Sequence, residues 1–133
     1  MSTGEVPHGR RRPIRSYEDI EAYQRAMRLV ADVHAVVKGF PAYERHDLAA
    51  QMRRAAKSVP ANIAEGYAKR RSAKEFRAFL TNAMGSATEM EVHLEIAREL
   101  GYVTDEECAR LVDEYQIVAR QLYRLMEKWQ SFE

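Results

Sequence analysis

Four times along this chain, apolar side chains recur at alternating intervals of three and four residues, the spacing that lines up one face of an α-helix. The first stripe is Ile20, Tyr23, Met27, Val30 and Val37, with only His34 interrupting it. The second is Leu48, Met52, Ala55, Val59, Ile63 and Tyr67; the third Phe76, Leu80, Ala83, Ala87, Met90, Leu94 and Ala97; the fourth Cys108, Leu111, Tyr115, Val118, Leu122, Leu125 and Trp129. No strand-period segment is long enough to compete. The stripes predict helices over residues 17–38 and 43–68, a third opening at the Ser72/Glu75 capping box and closing at Gly101, and a fourth starting at the Thr104/Glu107 box. A Ser16/Asp19 box precedes the first, and Gly39, Phe40 and Pro41 end it. Pro60 lies inside the second, which predicts a kink or two shorter helices, because proline removes a backbone donor and crowds the carbonyl four residues back. Rods of roughly 33 to 42 Å joined by short connections must run antiparallel. The fold class is therefore all-α, an antiparallel up-down-up-down four-helix bundle.

A chain of 133 residues has room for one such domain. Its expected core is Ile20, Met27, Met52, Val59, Ile63, Phe76, Leu80, Met90, Leu94, Leu111, Val118, Leu122 and Leu125, within a bundle domain of residues 16–133. Residues 1–15 carry Gly4, Pro7, Gly9 and Pro13 among Arg10, Arg11, Arg12 and Arg15, and read as a flexible basic tail. No apolar run reaches the length of a membrane span, and the N-terminus lacks a signal-peptide stretch, so a cytoplasmic location without membrane contact is expected. Apolar groups off the core stripes, namely Val33, Val36, Phe79, Val92, Ile96 and Tyr123, suit contacts between subunits.

Local motifs add a second kind of information. Phe40-Pro41 precedes the second helix, Gln51-Met52-Arg53-Arg54-Ala55 lies within it, and Ser58-Val59-Pro60-Ala61-Asn62-Ile63-Ala64-Glu65-Gly66 runs toward its end. Lys74-Glu75-Phe76, Phe79-Leu80, Gly85-Ser86 with Glu89, and Glu99-Leu100-Gly101-Tyr102 follow. Together these resemble the bacterial four-helix-bundle family of 23S ribosomal RNA intervening-sequence proteins, over residues 16–130. The resemblance implies a ring-like homopentamer, encoded in some bacteria within ribosomal RNA genes, with no established enzymatic activity. A distantly similar bundle is the accessory protein of retroelement reverse transcriptases, where a basic surface contacts nucleic acid and the polymerase. The Arg10–Arg12 cluster lies outside the shared pattern.

Enzyme chemistry finds little support in the residues. A di-iron bundle needs a Glu-x-x-His motif on each of two helices, but Ala31, Tyr43 and Met90 stand three before His34, His46 and His93. The one match, Glu5 to His8, falls in the tail. Cys108 sits on an apolar seam and reads as a packed thiol, and His34 as a satisfied core histidine. No phosphate-cradling glycine loop, serine elbow or zinc motif occurs, so neither a catalytic residue, a metal nor a cofactor is predicted.

Charge says more, because its signs are segregated. Residues 45–77 hold nine cations against three anions, a net of +6, whereas residues 89–114 hold nine acids against two arginines, a net of −7. Such a dipole can draw nucleic acid to one side or join subunits head to tail. Arg53, Lys57, Lys69, Arg70, Arg71, Lys74 and Arg77 are the candidate nucleic-acid contacts, with Arg10–Arg12 as an auxiliary arm. Polar stripes flank the core on two helices, Gln51, Arg54, Ser58, Asn62 and Glu65 on one and Asn82, Ser86, Glu89 and His93 on the other, with Gly85 offering room for close approach. Either they are plain surface, or Arg54, Asn62, Glu65, Ser86, Glu89 and His93 form a semi-buried polar cluster between helices or subunits. The functional expectation is a homo-oligomer, pentamer favoured, that binds RNA or other nucleic acid. The alternative is a protein-binding scaffold or accessory subunit, such as a partner of a nucleic-acid enzyme.

Overall fold

The computed structural model describes residues 13–130, and there the chain forms four long helices: α1 (Glu21–Val37), α2 (Leu48–Ala68), α3 (Ala73–Glu99) and α4 (Asp105–Gln130). Single 3-10 turns occupy Tyr17–Asp19 and Ala42–Glu44. The Arg10–Arg12 cluster lies outside the described residues. Each helix packs on two neighbours, α1 on α2 and α4, and α3 on α2 and α4, which makes a four-helix bundle. The α2/α3 seam is the most extensive and α1/α4 the least. Two ion pairs, Arg25 with Glu114 at 2.7 Å and Arg110 with Asp32 at 3.7 Å, span that thinner α1/α4 seam.

Capping explains the starts of α3 and α4 and the end of α3. Ser72 Oγ accepts the Glu75 N–H at 3.1 Å, and Thr104 Oγ1 accepts the Glu107 N–H at 3.0 Å, as the two boxes predict. Gly101 takes a φ of +79°, the left-handed conformation of a residue just past a helix end. The Ser16/Asp19 box forms, but it closes a 3-10 turn, and α1 begins after it at Glu21.

α2 also begins later than the spacing suggests, at Leu48 rather than 43. The cause is Glu44, a buried carboxylate that accepts the Leu48 N–H at 3.1 Å and the Tyr102 hydroxyl at 2.7 Å. It supplies the cap that Asp47, at the N-cap position, does not. Tyr43 completes the chain: its hydroxyl lies 3.0 Å from that of Tyr102, whose proton is already given to Glu44, so Tyr43 donates. Donation to the Glu44 carboxylate, which requires the phenol to keep its proton, raises the Tyr102 pKa. The hydrogen bonds from Tyr43 and to Glu44 also tie the α1–α2 connection to the α3–α4 connection at one end of the bundle, the placement that antiparallel consecutive helices require. Pro60 lies within a continuous α2 and is buried.

The core contains Ile20, Met52, Val59, Ile63, Phe76, Leu80, Met90, Leu94, Leu111, Val118 and Leu122, as the spacing predicts, with Leu125 half-buried at its edge. α1 is the exception. It buries Ala22, Ala26, Leu29, Val33 and Val37, whereas Tyr23 and Val30 are half-buried and Met27 is 46% exposed. The two stripes differ by one residue, a rotation of about 100°. Side-chain size favours the Tyr23/Met27 face, but the alanines permit closer approach of α1 to its neighbours, and Val33 thereby belongs to the core rather than to a reserve for subunit contacts. Glycine roles shift likewise. A Cβ at Gly66 would stand 2.8 Å from Phe79 Cβ and 3.3 Å from Phe76 Cδ1, whereas one at Gly85 would meet nothing within 4 Å. Close approach of α3 to α2 thus depends on Gly66.

Cys108 is buried with its thiol toward the Leu94 carbonyl at 3.5 Å, as a packed thiol should be. Desolvation raises its pKa, and desolvation followed by the Asp32 charge raises that of Tyr115, whose buried hydroxyl has no hydrogen-bond partner among the described residues.

This packing is testable at two points. Gly66→Ala forces the α2 and α3 backbones apart and should cost about 1 to 3 kcal/mol, read from urea denaturation. Cys108 and Tyr115 hold their protons in the folded state above the pH at which the unfolded chain releases them, with ordinary values of 9.0 and 10.0. Their contribution to stability is therefore complete below the ordinary values and declines as pH rises through 9 to 10 and beyond. Tyr115→Phe removes one of the two groups and the unpartnered hydroxyl, so it should leave neutral stability equal or higher and flatten the alkaline decline in a melting series.

Candidate functional site

The basic end of the bundle is built by a four-residue connection. α2 closes at Ala68 and α3 opens at Ala73, leaving Lys69, Arg70, Arg71 and Ser72 between them. The Lys69 N–H bonds back to the Gly66 and Tyr67 carbonyls, and Ser72 caps α3, so the connection is fixed at both ends. The Arg70 guanidinium lies 4.1 Å from the Tyr67 ring centroid and donates from Nη1 to the Tyr67 carbonyl at 3.0 Å. Lys69 Nζ sits 4.8 Å from the Phe79 ring centroid. Both cations are held over rings whose faces attract positive charge. Beneath them Trp129 packs edge-on against Phe76, at 4.7 Å between centroids, and Tyr67, at 6.3 Å.

Arg71 and Lys74 are exposed, and Arg77 is half-buried one turn further along α3. No ion pair joins any of these five cations to a carboxylate among the described residues. Lys74 occupies the first turn of α3, where the helix dipole disfavours a cation by about 0.3 to 1 kcal/mol. Lys69 and Arg70, by contrast, sit at the C-terminal end of α2, where the dipole favours a cation.

The seven predicted contacts do not form one patch. Lys69, Arg70, Arg71, Lys74 and Arg77 share the α2–α3 end. Arg53 lies sixteen residues before Lys69 on α2, about 24 Å away at 1.5 Å per residue. Its Nη2 donates to the Arg45 carbonyl at 3.0 Å, at the opposite end of the bundle. Lys57 is exposed between the two groups. The spacing overlooked that Arg53 joins Lys38 and Arg45 around the α1–α2 connection; the Phe40-Pro41 corner is the signal that could have found it.

The polar stripes divide too. Ser58 and Ser86 hydroxyls meet at 2.8 Å across the α2/α3 seam, and Asn62 Nδ2 donates to the Ser58 hydroxyl at 3.0 Å and its carbonyl at 2.9 Å. His93, only 7% exposed, donates from Nε2 to Glu89 Oε2 at 3.0 Å, leaving Nδ1 buried with no partner among the described residues. Arg54 and Glu65 are exposed. Of the six residues, Ser86 makes the inter-helix hydrogen bond, with Ser58, and Asn62 holds that serine from within α2, while Glu89 and His93 form a separate pair on α3, and Arg54 and Glu65 join neither. His34 is half-buried and donates from Nδ1 to the Val30 carbonyl at 2.9 Å, on the rim of a cleft rather than in the core. No grouping of three or more metal-ligating side chains occurs among the described residues. No described helix is long and apolar enough to cross a membrane.

Known proteins resemble this arrangement at two levels. A solved structure from Bacteroides thetaiotaomicron, a protein of unknown function from the S23 ribosomal protein family, superposes with a TM-score of 0.72 at 20% identity, covering 80% of this chain and 95% of that one. At that identity the likeness shows the fold. No curated protein matches the chain. The 23S rRNA-intervening sequence protein family matches over residues 18–124, from the first 3-10 turn to the last third of α4, and the chain belongs to that family.

Proposed function

We propose that this protein acts by binding and not by turnover: a self-associating bundle of the cytoplasm whose basic end holds RNA through its phosphates. The supporting observation is the cluster of Lys69, Arg70, Arg71, Lys74 and Arg77 at the α2–α3 end, paired with no described carboxylate. Two of its members are oriented in advance by ring contacts, which lowers the entropy cost of meeting a phosphate. Tyr67 and Phe76 are buried and Lys69 covers Phe79, so bases gain little stacking platform beside these cations and the contacts carry little sequence preference. The family's description as 23S rRNA-intervening sequence proteins, a gene location and not a ligand, makes RNA the first polyanion to test.

Self-association gives such contacts their strength, since several weak sites on one particle add by avidity. The outer face of α3 supplies a candidate surface: Val92 is 49% and Ile96 41% exposed, one turn apart, and the same helix has open space at Gly85. A homopentamer is the assembly we favour, on the family resemblance.

Two experiments test this reading. A variant with Lys69, Arg70, Arg71 and Lys74 changed to Gln should keep its helicity and particle size but bind an RNA of about 20 nucleotides more weakly, with the slope of log affinity against log salt flattened by about 0.7 for each phosphate that is no longer engaged. Unchanged affinity and slope would overturn the basic-end model and favour a protein-binding scaffold. In light scattering on a sizing column the native protein should run near five times 15.4 kDa, about 77 kDa. A Val92→Asp/Ile96→Asp variant should fall to smaller particles, and an unchanged particle size in that variant would remove α3 from the interface.

A further inference from the structure

At the opposite end of the bundle, the α1–α2 corner encloses a half-open cleft of about 370 Å³. Its floor is apolar, from Val37, Phe40 and Ala49, all buried side chains. Its rim is cationic, from Lys38, Arg45 and Arg53, with His34 beside them. The Arg53 guanidinium is held by its bond to the Arg45 carbonyl, which uses one of its five N–H donors and leaves a planar edge for an acceptor. His34 gives its Nδ1 proton to Val30, so its Nε2 remains for a ligand.

The carboxylates nearest in sequence form no ion pair with these cations. Glu44 is committed to the Leu48 N–H and the Tyr102 hydroxyl, and Asp47 Oδ1 accepts from Gln51 at 3.0 Å. No described carboxylate pairs with Lys38, Arg45 or Arg53. Three unneutralised cations around an apolar floor form an environment that attracts an anion with an apolar body and disfavours a cation or a neutral polar molecule.

We infer that this cleft binds a small phosphomonoester carrying a compact apolar group, phosphate on the Arg53/Lys38 rim and the apolar group against Val37 and Phe40. Arg53 presents the fork that matches two phosphate oxygens, and Lys38 adds a point charge. His34 Nε2 is placed to accept a hydrogen bond from the hydroxyl of a singly protonated phosphate. The ligand chemistry is that of a free metabolite or of a phosphorylated strand end. The site is about 24 Å along α2 from the basic connection, so it stands or falls separately from RNA binding there.

Calorimetry and amide chemical-shift mapping of the full chain test the inference, with phenyl phosphate, inorganic phosphate and phenol as probes at constant ionic strength. Phenyl phosphate should bind about tenfold or more tighter than inorganic phosphate, as burial of a ring in the cleft requires, and phenol should not bind measurably. Shifts should centre on residues 34–53. Lys38→Gln, at an exposed position that leaves folding intact, should weaken binding roughly threefold to tenfold, and Arg53→Gln by more. The fourfold Gln variant of the basic connection should bind phenyl phosphate normally. A 5′-phosphorylated dinucleotide that binds as well as phenyl phosphate would assign the strand end as the source, and one that does not would assign a free metabolite. Equal affinity for phenyl and inorganic phosphate, an unchanged Lys38→Gln variant, or shifts centred on residues 69–77 would each overturn the inference.

Discussion

The missing side chain at Gly66 is the constraint on which the basic end of the bundle depends. With Phe79 Cβ 2.8 Å from where a Gly66 Cβ would stand, α2 and α3 pack at a separation that only glycine permits. From that close approach the rest of the end follows. Phe76 and Tyr67 both meet Trp129 of α4 edge-on, and Phe79 lies under Lys69. The four-residue connection carries three consecutive cations, and two of them, Lys69 and Arg70, rest on the Phe79 and Tyr67 rings at this seam. The packing of the core thus orients charge at the surface.

The opposite end is organised by hydrogen bonds instead of a close approach. Glu44 caps α2 from a distance of four residues and reaches Tyr102 across the bundle, so one buried carboxylate serves the start of a helix and the docking of two connections. Breaking it would leave the buried Leu48 amide without a partner, a cost of about 1 to 3 kcal/mol, and would free Tyr102 from the α2 cap. Because Glu44 is engaged inward, the neighbouring cations Lys38, Arg45 and Arg53 are not neutralised by it. At this end a structural need takes up the acceptor, and positive charge is left facing outward.

How much of this was legible in the sequence depended on whether the signal was periodic. The four helices and eleven of the thirteen expected core residues follow from spacing of three and four, because burial selects one face along a whole helix. The α1 face was misjudged by one residue: hydrophobic size pointed to Tyr23 and Met27, while packing chose Ala22 and Ala26, whose value lies in how close they let a neighbour come. The role of Gly66 in place of Gly85 depended on which helix lay opposite, a relation between segments that spacing within one segment does not encode. Glu44 was hidden for the same reason, since a charged residue in a connection reads as solvated until its partners, Leu48 and Tyr102, are seen. Among the candidate nucleic-acid residues, 69–77 were found together because they are adjacent in the chain, whereas Arg53 was grouped with them by sign alone and stands with Lys38 and Arg45.

The central claim, that RNA is held at the α2–α3 end, is tested most directly by ultraviolet crosslinking of the full chain to the RNA it carries in its own cell, followed by peptide mapping. The account predicts crosslinked peptides from residues 67–80, with none from the acidic stretch between Glu89 and Glu114. Crosslinks confined to that acidic stretch, or a protein that emerges from its cell bound to a protein partner and free of RNA, would contradict it.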